Sequence, residues 1–239
     1  LMTGMHMNVH VLVPAAGSGS RLGGDIRKQY LELGGQPVLV QTLTQLAAHP
    51  QIGFIHLIVP TGDVAYCRAE LVDRYRLEKI GGVIVGGHER QDSVRNGLEA
   101  CGAKDQDVIL IHDGVRPFFP KEQIGPLVQS AVVEGAALLA IPAQDTIKEV
   151  FDGRVRSTLD RRLLWQVQTP QAFRFERIRE AHRRAHAGGY VGTDDASLIE
   201  WCGWPVAVLA GHPHNIKITT LEDLAMARAL LTMGEVTLV

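Results

Sequence analysis

The sequence predicts an α/β fold with a mostly parallel sheet covered by helices on both faces, and three observations lead there. Short apolar runs alternate along the chain with segments of helical spacing. The first run empties into a glycine-rich turn, the usual passage from a buried strand to a helix. The alternation breaks once, at an Asp152–Gly153 pair flanked by apolar residues, which reads as a protruding β-hairpin arm. At 239 residues and 46% apolar, the chain suits one domain with a sizeable core.

Taken in order, residues 9–13, 54–59, 83–85, 108–111, 136–141 and 206–209 read as buried strands. Helical spacing marks 38–47, 64–75, 94–101, 124–133 and 175–187. Strands joined through helices pair in parallel, so ligands are expected beyond their carboxyl ends. Thr219 and Glu222 read as a capping box opening a last helix through Leu221, Leu224, Ala225 and Leu230. Residues 1–8 read as a disordered extension, 9–239 as a single domain, and about 143–168 as the arm. An isolated hairpin is marginal in water, so a second copy of the chain is expected to support it, in a homodimer clasped through the arms.

Composition excludes several classes of function. With 24 Lys and Arg against 26 Asp and Glu, the formal charge of −2 gives no general field to recruit nucleic acid or an anionic membrane. No apolar run approaches the roughly 20 residues of a membrane span. Cys67, Cys101 and Cys202 are odd in number and form no C-x-x-C pair, which argues against a disulfide framework or a zinc knuckle and suits a reducing cytoplasm.

The segment VPAAGSGSRLGGDIRKQYLEL, residues 13–33, carries the most chemistry. Ala15, Ala16, Gly17, Ser18 and Gly19 leave the backbone nearly bare, and amides turned toward one point make an anion site. Arg21 and Lys28 follow within reach, which suits a polyphosphate. After Gly17 and Gly19 a dinucleotide fingerprint needs glycine where Leu22 stands, and a P-loop needs a glycine–lysine–hydroxyl run that the chain lacks. Both a dehydrogenase and a P-loop kinase are therefore disfavoured.

In ILIHDGVRP, residues 109–117, a strand ends in Asp113, then Gly114 and Arg116. A carboxylate at that sheet edge is placed to hold Mg²⁺ against phosphate oxygens. His112 reads as a core group, since no second histidine lies at ligand spacing. In GGHERQDSVRNG, residues 86–97, a helix is expected to open near Asp92 or Ser93, where a glycine pair and a hydroxyl can approach a base or ribose. The alternative is an ordinary helix cap at Ser93 with Arg90 solvated. Three further strings are unexpectedly polar: Asp160-Arg161-Arg162 leading to Thr169-Pro170-Gln171, then GTDDAS at 192–197, and Asn215-Ile216-Lys217. Arg154, Arg156, Arg161 and Arg162 crowd the arm with charge that a phosphate would offset.

Together these strings resemble the 2-C-methyl-D-erythritol 4-phosphate cytidylyltransferase family, through PAAGSGSRLG with Lys28-Gln29-Tyr30, GGHERQDSV, IHDGVRP, TPQ, GTDDAS and NIKIT. The resemblance runs in order over nearly the whole chain. It implies a Rossmann-like nucleotidyltransferase sheet with an arm exchanged across a homodimer, and transfer of a cytidylyl group from CTP to methylerythritol phosphate with Mg²⁺. It implies CTP on Ala15, Ala16, Gly17, Gly19, Gly87, Ser93, Asp113 and Gly114, with Arg21 and Lys28 catalytic and Asp113 the metal-associated carboxylate. It implies sugar-phosphate contacts from Arg116, Thr169, Thr193 and Lys217, and from the partner's Thr146 and Arg161. A cytidylyltransferase for another polyol phosphate, such as ribitol 5-phosphate, and a catalytically silent nucleotide-binding module stand as alternatives.

Overall fold

The computed structural model describes residues 7–16 and 30–238. Strand β1 (Val9–Pro14) leads, and a small hairpin of β2 (Glu32–Leu33) and β3 (Gln36–Pro37) precedes α1 (Val38–Ala47) and β4 (Phe54–Val59). Then come α2 (Val64–Tyr66), β5 (Ile80–Val85), α3 (Arg90–Ala100), β6 (Val108–Ile111), α4 (Ile124–Glu134) and β7 (Ala136–Pro142). The arm strands β8 (Lys148–Phe151) and β9 (Arg154–Thr158) follow, then β10 (Trp165–Arg174), α5 (Phe175–Gly188), α6 (Asp195–Trp201), β11 (Ala207–Ala210) and α7 (Leu221–Thr232).

Seven strands make one sheet in the order β11-β7-β10-β6-β1-β4-β5, with β10 antiparallel to both neighbours and the other pairs parallel. Alternation along β1 explains the two-faced core: Val11 and Val13 pack with Leu39, Leu43, Leu71 and Leu127 on one face. Leu12 points to the other face, among Val94, Leu98, Ile178 and Leu198. A third cluster joins Leu33 and Val38 to Val115, Phe118, Ile218 and Leu224, so α7 braces the small hairpin.

After β1 the chain builds β4 and β5 on one side, then returns to lay β6 on the other. The connections leaving β1 and β6 therefore diverge, and a crevice opens at their carboxyl ends. That crossover places Ala15 and Gly114 side by side at one edge. A Cβ on Gly114 would stand 2.8 Å from Leu39 Cδ1 and 3.6 Å from Ala15 Cβ.

Several sequence expectations need correction. Strand β10 was not foreseen, because its glutamines and Pro170 argue against a sheet interior. The sheet accommodates them with a bulge: pairing with β7 jumps from Gln168↔Leu139 to Gln171↔Leu138, leaving Thr169 and Pro170 between. Helix α3 begins at Arg90 rather than near Ser93, capped by a reciprocal box between Glu89 and Asp92. The last helix is capped one residue later than expected, by Thr220 with Asp223. The helix foreseen over 64–75 is α-helical only at first and winds more widely over Cys67–Asp73.

The arm forms its own two-stranded sheet. Asp152 (φ 49°) and Gly153 (φ 69°) both adopt positive φ, the geometry of the two-residue turn that matches strand twist. Phe151 is 77% exposed and Leu163 78%, with Val150 and Val155 also exposed. No helix among the described residues is long and apolar enough to cross a membrane.

Candidate active site

Asp113 stands just past the end of β6, and its carboxylate gathers cations from separate parts of the chain. Lys217 Nζ lies 3.0 Å from Oδ2 and Arg116 Nε 3.3 Å, while Arg90 Nε approaches Oδ1 at 3.7 Å. Burial by itself would push this carboxyl up, but Lys217, Arg90 and Arg116 together hold it well below the usual carboxylate range. It is thus a permanent anion at the crevice.

The surrounding polar residues fix this cluster. Thr169 Oγ1 accepts the Asp113 backbone N–H at 3.0 Å and pairs with His112 Nδ1 at 3.0 Å, while His112 Nε2 lies 3.0 Å from the Arg116 carbonyl. His112 is fully buried, and burial lowers its pKa to about 4, so the ring is neutral and structural, as expected of a core group. Arg116 also donates to the Asn215 carbonyl at 2.6 Å. The Asn215 side-chain amide donates to the Thr169 carbonyl at 2.9 Å, and Gln168 grips the backbone of His212. The bulge in β10 therefore has a function in the fold: it turns Thr169 and Gln168 toward the loops that carry Asp113 and Lys217.

A second brace ties α3 to the loop before α6. Arg90 Nη1 donates to Asp195 Oδ2 at 2.7 Å, and Gln91 holds Gly192 N and the Tyr190 carbonyl. Gln171 Nε2 donates to Asp194 at 2.6 Å, while Asp194 caps α6 through Ser197 N. Arg90 is not the solvated side chain of an ordinary cap but the bridge between Asp195 and Asp113. Its sequence signal was its place beside the glycine pair, but only the fold brings the two aspartates to it.

Ser93 is buried; its hydroxyl accepts the Gly87 N–H at 3.0 Å and donates to the Glu89 carbonyl at 3.1 Å, so it shapes the turn instead of capping the helix. A Cβ on Gly87 would collide with Asp92, and one on Gly86 would lie 2.7 Å from Ala16 Cβ. The glycine pair therefore lets the start of α3 close on the end of β1. Thr193 is exposed beside the Asp194 cap. Thr169 is buried with its hydroxyl already engaged, so it positions Asp113 rather than facing the crevice. Thr146 and Arg161 are exposed at the base of the arm, where Arg161 donates to the Gln144 carbonyl at 2.6 Å. Gly17, Gly19, Arg21 and Lys28 lie outside the described residues. Among the described residues, no group of three or more His, Cys, Asp or Glu side chains could hold a metal.

A family model described as 2-C-methyl-D-erythritol 4-phosphate cytidylyltransferase matches residues 9–233. The protein of that name from Syntrophotalea carbinolica is 53% identical over 225 residues, covering 94% of this chain and 97% of the relative. That from Geobacillus kaustophilus is 45% identical over 225 residues, with 94% and 97% covered. Among solved structures, the 4-diphosphocytidyl-2C-methyl-D-erythritol synthase of Anaerococcus prevotii is similar with a TM-score of 0.82 at 32% identity, covering 95% of this chain and 96% of that one. The Thermus thermophilus cytidylyltransferase gives 0.77 at 32% identity, with 95% and 100% covered.

Proposed function

The chain belongs to the 2-C-methyl-D-erythritol 4-phosphate cytidylyltransferase family, and from that premise we propose how its residues divide the work. It is an enzyme that transfers the cytidylyl group of CTP to methylerythritol phosphate. The observation that carries the assignment of roles is the Asp113 cluster, where Lys217 and Arg116 converge on one carboxylate beside the end of β1.

The reaction is an in-line attack of the substrate phosphate on the α-phosphorus of CTP, with pyrophosphate leaving. A phosphate monoester has its second pKa near 6, so the nucleophile is already mostly dianionic at neutral pH. No general base is needed, and the neutral His112 is not asked to serve as one. The difficulty is charge. At an effective dielectric near 20, two unit charges 4 Å apart repel by about 4 kcal/mol, so several such pairs would prevent the encounter without cations.

In this reading Arg116 and Lys217 receive the sugar phosphate, and Asp113 keeps both in place while empty of substrate. Lys217 is 40% exposed at its side chain and is the more accessible of the two. Thr193 adds a hydroxyl from the loop that Gln91 pins to α3. The turn at Ala15 and Ala16, with Gly17 and Gly19, cradles the triphosphate, and Arg21 and Lys28 neutralise it as the bridging oxygen leaves. Gly87, Ser93 and Gly114 shape the nucleotide's wall.

The donor set fits a Mg²⁺ that arrives with the nucleotide, since such ions take one or two carboxylates plus phosphate oxygens. Asp113 Oδ2 is engaged by Lys217 and Arg116, whereas among the described residues Oδ1 meets only the 3.7 Å approach of Arg90, too long for a hydrogen bond. Oδ1 is therefore the atom that would ligate. When bound, the ion would draw negative charge from the triphosphate oxygens.

We also propose a homodimer in which the arm's exposed apolar face is covered by the partner and its Thr146 and Arg161 reach the neighbouring site. The reaction is placed in the cytoplasm, a compartment that suits three cysteines, Cys67, Cys101 and Cys202, that are far apart in the sequence and form no C-x-x-C pattern. The test is pyrophosphate release from CTP, UTP, ATP and GTP with methylerythritol phosphate and Mg²⁺. CTP should be strongly preferred, and Arg21→Ala and Lys28→Ala should each lose roughly 10²- to 10³-fold in turnover while folding normally. Near-normal kcat in both variants would overturn this division of roles.

A further inference from the structure

A histidine far from the crevice is connected to it through buried ion pairs. His182, on α5, is 2% exposed, and its Nε2 lies 3.2 Å from Asp195 Oδ1. Asp195 in turn receives Arg90 Nη1 at 2.7 Å, and Arg90 Nε reaches Asp113 at 3.7 Å. A ring nitrogen facing a carboxylate carries the proton, so Nε2–H donates to Asp195. The other ring nitrogen, Nδ1, is buried with no hydrogen-bond partner among the described residues. The ring thus spends its polar capacity on Asp195 alone. The buried residues of α5 to either side of it, Ile178, Ala181 and Ala185, are apolar, and a leucine there would leave no buried nitrogen unsatisfied.

The contact also places Asp195. This carboxylate is 1% exposed at the first turn of a short helix, and two donors on opposite oxygens hold it: Arg90 on Oδ2 and His182 on Oδ1. Burial would push its carboxyl up, yet Arg90 and His182 keep it below the usual range and therefore charged. With one donor removed, the carboxylate is free to rotate, and the Arg90 guanidinium follows it.

We infer that His182 is a positioning residue for the transfer reaction, setting Arg90 over Asp113 through Asp195. Because Asp113 also orders Arg116 and Lys217, displacement of Arg90 disturbs the cations that receive the sugar phosphate. That last link rests on the roles assigned to Arg116 and Lys217 above; the link from His182 to Arg90 does not.

The test is a double-mutant cycle on kcat/KM, with His182→Leu and His182→Gln made in the parent and in an Arg90→Ala background. His182→Leu should lower kcat/KM about tenfold, chiefly by raising KM for methylerythritol phosphate. His182→Gln, whose amide reaches Asp195 from a similar distance, should recover to within about twofold. In the Arg90→Ala background His182→Leu should add nothing. Fully additive losses would overturn the inference, as would His182→Gln failing like His182→Leu while keeping the parent melting temperature. Lys217→Ala separates the two readings: an unchanged KM for the sugar phosphate would remove the assigned subsite and leave the cycle to decide on His182.

Discussion

Asp113 explains how several like charges occupy one corner of a protein with a net charge of only −2. Lys217, Arg116 and Arg90 repel one another, and the deeply placed Asp113 carboxylate, with Asp195 behind Arg90, makes their proximity tolerable until a phosphate arrives. Replacement by the isosteric Asn keeps the backbone N–H bond donated to Thr169 Oγ1 but removes the charge. Asp113→Asn should therefore lower kcat/KM by roughly 10²-fold or more, comparable to loss of a transition-state donor. Steady-state pyrophosphate release measures this, and retention of half the parent activity would show that the cations hold position without it. The residue type was legible as important from its place at a strand end before Gly114. Two of its three partners were not, because Arg90 and Lys217 lie 23 and 104 positions away in the chain.

At the scale of elements, the hairpin shows how local chemistry can be read directly. Asp152 and Gly153 tolerate the positive φ that the turn demands, so the arm follows from two residues. Its strands bury almost nothing within the chain, and Phe151 at 77% exposure is an unusual position for a large aromatic residue. Phe151→Asp should convert a dimer to a monomer in sedimentation at micromolar concentration, with little change in the melting temperature of the main domain. An unchanged dimer mass, or a monomeric parent protein, would count against arm exchange. Strand β10 is the opposite case. Its proline and glutamines oppose a central strand locally, and it exists because β6 and β7 offer backbone partners on both sides.

For the whole molecule, the buried histidines tie stability to pH. His56 and His112 both have pKa values lowered by burial from 6.5 to about 4, and His10, whose Nδ1 lies 3.1 Å from His56 Nε2, is also lowered. The unfolded chain binds these protons more readily than the folded one. Stability is therefore fully present above about pH 6.5 and falls as the pH drops toward 4. At about 1.4 kcal/mol per unit, each of the two accounts for a loss on the order of 3 kcal/mol once the pH has fallen below about 4. The melting temperature should be level from pH 8 to about 7, then decline steadily on acidification. His56→Gln should flatten part of that slope, and a melting temperature constant down to pH 5 would refute the account.

The sequence by itself determined the alternation of strands and helices, the hairpin turn and the family to which its motifs point. Those features depend on side-chain periodicity and on backbone preferences within a few residues. Only the tertiary structure decided that Arg90 bridges two aspartates, that Thr169 supports Asp113 rather than facing the crevice, and that His182 reaches the site from behind. Such pairings depend on sheet order and on the bulge in β10, and charges brought together across a hundred residues leave no periodic trace in the chain.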